Sequence, residues 1–402
     1  MPHSNGLFRS DPVPRLLVLV LCLIAYGSLY PGDFQIQGKP LAQAVSQFVH
    51  SWPDGKSSII TLDFVLNVLI YIPVGFLGSL SLIRCSPLVR SVGPVLLAAS
   101  LSASMEILQA FLPTRFTSLL DFASNTLGTL AGVAAAWFVH DWLERLLPVC
   151  AARLSAQPGT AMLLAFWIAS QWIPLMPYIG LYKLRMRWLY LIHVDWQRFP
   201  WELLSAASAW IAAIHLFEEI APEVARWPLC LPALVLPIRF IILNQQPSAG
   251  DVAGAVAAAL LAWLLPRERF SRSASIGSFL LIAILVGGLA PLHYVATPKL
   301  FGWIPLGASL ESSSLIGALN VLLAKAFRYG AVVWVLRQCG VRLLPGSVAV
   351  AVLLGAIEWA QRYLPGRTPE ITDPLLCLSI AMILGMIEPT LPPAHNDDRP
   401  AK

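Results

Sequence analysis

Four polar residues stand at a fixed spacing, and the same four recur far down the chain. Glu106, Gln109, Arg115 and Asp121 follow Glu-x2-Gln-x5-Arg-x5-Asp, and Glu358, Gln361, Arg367 and Asp373 repeat it. The flanks agree as well. Leu112-Pro113-Thr114-Arg115 faces Leu364-Pro365-Gly366-Arg367, and upstream Leu66-Asn67-Val68-Leu69 faces Leu319-Asn320-Val321-Leu322. Two carboxylates at close quarters can hold and pass protons as acid and base. A guanidinium between them can fork a carboxylate or a phosphate. Glu106 and Gln109 are three apart and share one helix face. Pro113 ends that helix, Arg115 sits in the turn, and Asp121 opens the next helix, where a carboxylate caps free N–H groups and meets the positive end of the dipole. Asn125 lies one turn further on. Asp63 and Asn67, one turn apart on an earlier helix, read either as a second wall of the same pocket or as polar glue between helices. Lys325 and Arg328 are three apart and need partners if buried, with Glu358 and Asp373 as candidates. His215, Glu218 and Glu219 read as the start of a solvated loop. Two readings of the motif stay open: a salt-bridged staple for the hairpin, and a polar pocket in which Arg115 engages an anionic headgroup.

The elements that must carry these residues are membrane helices. The chain has 402 residues, of which 57% are apolar and only 12% charged, with a mean hydropathy of +0.70. A soluble domain carries about 25% charged residues, so this surface is built to face lipid. Apolar runs long enough to span fall at about 14–31, 59–82, 92–112, 119–139, 160–180, 201–217, 227–243, 250–265, 274–295, 313–336, 343–362 and 372–390. The first reads as a retained anchor rather than a cleaved signal. The fold class expected is therefore an all-α, polytopic bundle of about twelve spans. Segments 41–52 and 181–200 read as interfacial helices, the first with an ordinary loop helix packed on the bundle as its alternative. Ser124, Gly128 and Gly132 form a small-residue stripe that lets helix backbones approach. Lys and Arg lean modestly towards the inner segments, which puts both termini in the cytoplasm and the signature loops outside. Six scattered cysteines and seven dispersed histidines show no metal-ligand spacing. No metal, no cofactor and no nucleic-acid partner are expected.

The duplicated motif predicts two intact four-helix units, at 1–155 and 271–402. Between them, 156–270 fits a degenerate third, since Gln246-Pro247-Ser248-Ala249-Gly250-Asp251 precedes an Ala-rich span much as Arg115 to Asp121 precedes the fourth.

The first unit resembles the VanZ-like family of membrane proteins. Asn67-x3-Tyr71-Ile72-Pro73-Val74-Gly75-Phe76, Glu106-x2-Gln109, Arg115 and Asp121-x3-Asn125-x2-Gly128 carry the likeness, over about 59–139. A weaker match covers about 316–390, where Cys377 and Ile380 stand in place of the Asn and Gly after Asp373. The family is best known, through one member, for low-level glycopeptide resistance. The resemblance implies a cell-envelope membrane protein whose partner is a membrane lipid or a lipid-linked envelope component. A non-enzymatic headgroup binder is the leading expectation. An integral-membrane hydrolase or transferase acting on a lipid phosphate or peptide, and a secondary transporter, are the alternatives.

Overall fold

Prolines and serines set where the helices start and stop. The computed structural model describes residues 12–35, 39–52, 58–139, 153–154, 156–177, 180–223, 227–242, 245–290, 292–311 and 314–387. Among them the secondary structure is helical, with two isolated β-bridges and no strand. The chain divides into two compact units, Met1–Ala151 and Ala152–Lys402.

The first unit holds α1 (Pro12–Leu29), α2 (Leu41–Val49), α3 (Ser58–Ser81), α4 (Pro87–Gln109) and α5 (Leu119–Phe138). Helix α4 begins at Pro87, five residues before the apolar run. Ser86 caps it and Pro87 takes the first position, where a missing N–H costs nothing. Helices α3 and α5 pack closely. A Cβ on Gly128 or Gly132 would collide with the backbone of Val68 or of Ile72 and Phe76, and one on Gly75 with Thr129. The small-residue stripe therefore sets the interhelical distance, as its spacing predicts. Helix α2 buries Ala44 and sets Phe48 edge-on against Phe122 of α5 at 5.9 Å, while Leu41, Val45 and Val49 stay exposed.

The second unit holds α6 (Pro158–Trp172), α7 (Leu181–Ile192), α8 (Phe199–Ile220), α9 (Cys230–Ile241), α10 (Ala249–Leu264), α11 (Arg269–Leu289), a single turn at Gly307–Leu310, then α12 (Leu315–Gln338), α13 (Leu343–Gln361) and α14 (Thr372–Ile387). Helix α6 stops eight residues short of the expected 180, because Pro174 disfavours helical backbone at Ile173. Helix α8 is longer than its apolar run at both ends. It packs on α6, α10 and α11, while α12 packs on α6, α11, α13 and α14. Trp167 and Trp210 meet edge-on at 4.7 Å in the core. Gly250 and Gly254 lie against Glu202, Leu203, Ala206 and Ala207, so α8 and α10 also meet through small residues.

A helix occupies each of the twelve apolar runs. Six are long and apolar enough to cross a membrane among the described residues: Asp63–Ser81, Pro87–Gln109, Phe199–Ile220, Arg269–Leu289, Ile316–Gln338 and Leu343–Gln361. Val13–Leu29, Cys230–Ile241, Ala249–Leu264 and Thr372–Ile387 are apolar but shorter.

Candidate functional site

In the first unit the four motif residues serve the ends of helices. The last carbonyls of α1 have no intrahelical donors. Arg115 supplies them, donating from Nε to Tyr30 O at 3.3 Å and from Nη2 to Gly27 O at 3.2 Å. Gln109 Nε2 donates to Ser28 O between them, at 2.9 Å. Glu106 reaches forward instead, and its Oε2 accepts the Ser118 N–H at 2.7 Å. Ser118 Oγ in turn accepts the Asp121 N–H at 3.2 Å and caps α5. Lys39 Nζ donates to Ala110 O at 2.5 Å. Glu106, Gln109 and Arg115 thus tie α1, α4 and the loop before α5 together.

The fork between Arg115 and a carboxylate, expected from spacing, does not form among the described residues. Helix-end carbonyls stand three residues apart, and the planar guanidinium spans them. The carboxylates gather elsewhere. Asp121 has the Asn67 amide as a hydrogen-bond partner and feels the charge of Asp63, which is exposed. Glu106 lies near Asp121 and near Tyr71. Asn125 Nδ2 donates to Ser102 Oγ at 2.9 Å, and Tyr71 bonds the same serine. Sequence reasoning did not single out Ser102. Its position four residues before Glu106, on one helix face, is the signal that was available.

The second unit carries the same bonds. Glu358 Oε2 accepts the Glu370 N–H at 3.0 Å. Gln361 Nε2 donates to Gly288 O at 3.0 Å. Arg367 donates from Nη2 to Gly287 O at 2.6 Å and from Nε to Ala290 O at 3.1 Å. Lys299 Nζ donates to Arg367 O at 2.6 Å. Gln245, in the loop before α10, makes a third version and donates to Ser170 O at 3.3 Å and Ile173 O at 2.8 Å, at the end of α6. Ser248 and Asp251 then form a capping box at the start of α10. Arg187 from α7 donates to Phe240 O at 2.5 Å and Ile242 O at 2.7 Å. Two residues after Tyr30, Ile173 and Ala290 stand Gly32, Leu175 and Leu292, at φ of 85°, 60° and 62°. Leucine there costs roughly 1–2 kcal/mol, so the turn is held by its surroundings.

Arg115→Gln should therefore act on stability. A glutamine reaches the carbonyls but carries neither the fork nor the charge, and hydrogen bonds from a charged donor contribute about 1.5–3 kcal/mol. The unfolding midpoint in denaturant should fall, and Arg115→Lys should recover less than half of the loss. An unchanged midpoint for Arg115→Gln would contradict this role.

The second unit also holds a cavity of ≈ 950 Å³, lined by Glu358, Gln361, Arg367 and Asp373 together with Lys325 and Arg328, and the N-terminal turns of α8 contribute Glu202 and Ser205. Lys325 Nζ pairs with Asp373 Oδ1 at 2.6 Å, and Tyr329 Oη donates to Asp373 Oδ2 at 2.6 Å. Glu358 is a hydrogen-bonding neighbour of Asp373. Arg328 Nη2 donates to Ser205 Oγ at 2.6 Å. Asn320 is not among these residues, since its Nδ2 donates to Ile173 O at 3.1 Å.

The solvated-loop reading of His215, Glu218 and Glu219 is corrected. They form the last turns of α8, and His215 is buried. His215 Nε2 meets Gln338 Oε1 at 2.9 Å, and Gln338 Nε2 donates to Glu219 Oε1 at 2.6 Å. Thr160 Oγ1 donates to Glu219 Oε2 at 3.0 Å, and Arg272 pairs with Glu218 at 2.7 Å. The helix continues past the apolar run because its polar end finds partners on α6, α11 and α12. Among the described residues no group of three or more His, Cys, Asp and Glu could hold a metal ion.

Comparison with known proteins adds one match. The family described as VanZ/LLP1 matches residues 15–140. No curated protein and no solved structure matches the chain.

Proposed function

Residues 15–140 are a VanZ-like region of the VanZ/LLP1 family, and from that premise we propose that the chain is a multi-pass cell-membrane protein that binds a lipid-linked or anionic headgroup. The observation that carries the reading is the cavity of ≈ 950 Å³ in the second unit, where motif residues and the extra cations Lys325 and Arg328 meet. Pockets of about 300–1,000 Å³ suit a small ligand or headgroup. Ionisable groups at membrane depth cost free energy and mark functional sites by default.

The architecture proposed with it is twelve spans in three four-helix units, 1–155, 156–270 and 271–402, each with an interfacial segment after its first helix and both termini cytoplasmic. Arg115, Gln245 and Arg367 support the threefold reading, because each bonds two carbonyls three residues apart at the end of its unit's first helix. The shorter helices would then cross within a bundle rather than alone. By extension from the family, expression is expected to lower susceptibility to a glycopeptide antibiotic.

Acid–base chemistry at Glu358 and Asp373 is the second reading, since the two carboxyls adjoin in the cavity. It is the weaker one. Asp373 already holds Lys325 and Tyr329, and Glu358 already holds the Glu370 N–H.

Ala318 lines the cavity, and Ala318→Trp should fill it. Vesicles of an anionic lipid should raise the unfolding temperature of the wild type. Saturation at a hundred times the dissociation constant corresponds to about 2.7 kcal/mol. The variant should lose that gain while remaining monodisperse. Undiminished stabilisation of Ala318→Trp would remove the cavity from consideration.

A further inference from the structure

We propose that the cavity of the second unit is a phosphate site, taking the phosphate of a lipid headgroup or of a free phosphate ester, with Arg328 as its anchor. This rests on the cavity reading above and adds the ligand's chemical class and the residues that recognise it.

The cavity lining carries as many carboxylates as cations, and the imbalance is local to Arg328. Arg328 stands in the middle of α12, facing the cavity. Its Nη2 donates to Ser205 Oγ at 2.6 Å, but its Nε is buried and has no hydrogen-bond partner. No carboxylate lies within 4.0 Å of its guanidinium among the described residues. The other cations lining the cavity are engaged. Lys325 pairs with Asp373, Arg367 caps α11, and Arg198 pairs with Asp195. The carboxylate whose charge Arg328 feels, Asp251, is itself paired with Arg239. A desolvated guanidinium with no carboxylate of its own is expensive, and an anion entering the cavity relieves that cost.

The surroundings favour phosphate over a lone carboxylate. Ser205 reaches in from α8, while Lys325 and Arg328, three residues apart, share a face of α12. Donors thus approach from two helices and more than one plane. A flat carboxylate is satisfied by a guanidinium alone, whereas a tetrahedral phosphate presents oxygens in several directions. Of the carboxylates lining the cavity, Asp373 is held by Lys325 and Tyr329, Glu358 by the Glu370 N–H and Glu370 by the Ala308 N–H, which leaves Glu202 as the acidic group an entering anion meets. The volume exceeds what a bare ion needs and leaves space for the group esterified to it.

The test uses the full chain in detergent micelles and calorimetric titration with three probes: dihexanoyl phosphatidic acid below its micellar concentration, inorganic phosphate, and hexanoate. Phosphatidic acid should bind at least tenfold more tightly than hexanoate. Arg328→Gln should weaken it at least tenfold, and Arg328→Lys should recover part of the loss. Ser205→Ala, which keeps the guanidinium and removes only a neutral hydroxyl, should weaken it about threefold and keeps the test open if the arginine variant fails to fold. Inorganic phosphate binding as tightly as phosphatidic acid would assign the site to free esters, and much weaker binding would assign it to lipid. Equal affinity for hexanoate, or full affinity in folded Arg328→Gln and Ser205→Ala, would overturn the phosphate assignment. If Ala318→Trp still abolished binding in that event, the cavity reading would stand without it. Failure of all three probes to bind the wild type would sink both.

Discussion

Replacing Gly132 with leucine should leave no folded first unit. A Cβ at this position already collides with the Ile72 carbonyl and the backbone of Phe76, and Gly75 lies beside it. These atoms belong to the main chain of α3, so no side-chain rotation relieves the clash. The helices would have to separate, and the contacts along α3 and α5 would be lost with the α1 and α4 packing that depends on them. The cost should exceed about 4 kcal/mol, among the largest a single substitution produces. Gly355 in α13 is the control, because a Cβ there meets nothing within 4 Å. Gly355→Ala should stabilise by roughly 0.5–1 kcal/mol through helix propensity alone. Yield of monodisperse protein and the unfolding temperature read both. Wild-type yield and unfolding temperature for Gly132→Leu would show that α3 and α5 do not meet as described.

Asp373→Ala should be the most damaging change at the cavity. It strands Lys325 Nζ and Tyr329 Oη, both of which donate to this carboxylate at 2.6 Å. Breaking a buried pair by removing one partner costs about 3–5 kcal/mol. The lower end applies, because the Lys325 side chain is 33% exposed and can recover some hydration. Lys325→Met in the same chain should restore much of the loss, since the uncompensated ammonium is then gone. Unfolding midpoints of the two single variants and the double variant would separate the pair's coupling from the cost of exposure. Purely additive losses would mean that the two side chains do not interact.

The motif, the apolar runs and the small-residue stripe were legible in the order of residues. Charge scarcity demands a lipid-facing bundle, and Gly128 and Gly132, four apart, put their bare faces on one side of α5. Pro174 stands in the sequence too, and it ends α6 at Trp172, short of the apolar run's end. The partners were not legible. Arg115 beside two carboxylates looks like an ion pair, yet its guanidinium bonds Gly27 and Tyr30, more than eighty residues earlier. Spacing along a helix tells which side chains share a face. It carries no information on which distant helix end lies opposite with its carbonyls unfilled.

The same limit explains Gln245 and His215. Gln245 bears no charge and breaks the motif, so its role at the end of α6 emerges only when Ser170 and Ile173 stand within reach. His215 and Glu219 look solvated beside a loop, and are covered when Thr160 and Gln338 arrive from two other helices. Composition and periodicity determined that this chain is a helical membrane protein, because water and lipid act on each residue independently of its distant neighbours. The cavity, and the arginine left in it without a carboxylate at pairing distance, were decided by tertiary packing, because pairing a buried charge depends on which chain segments meet around it.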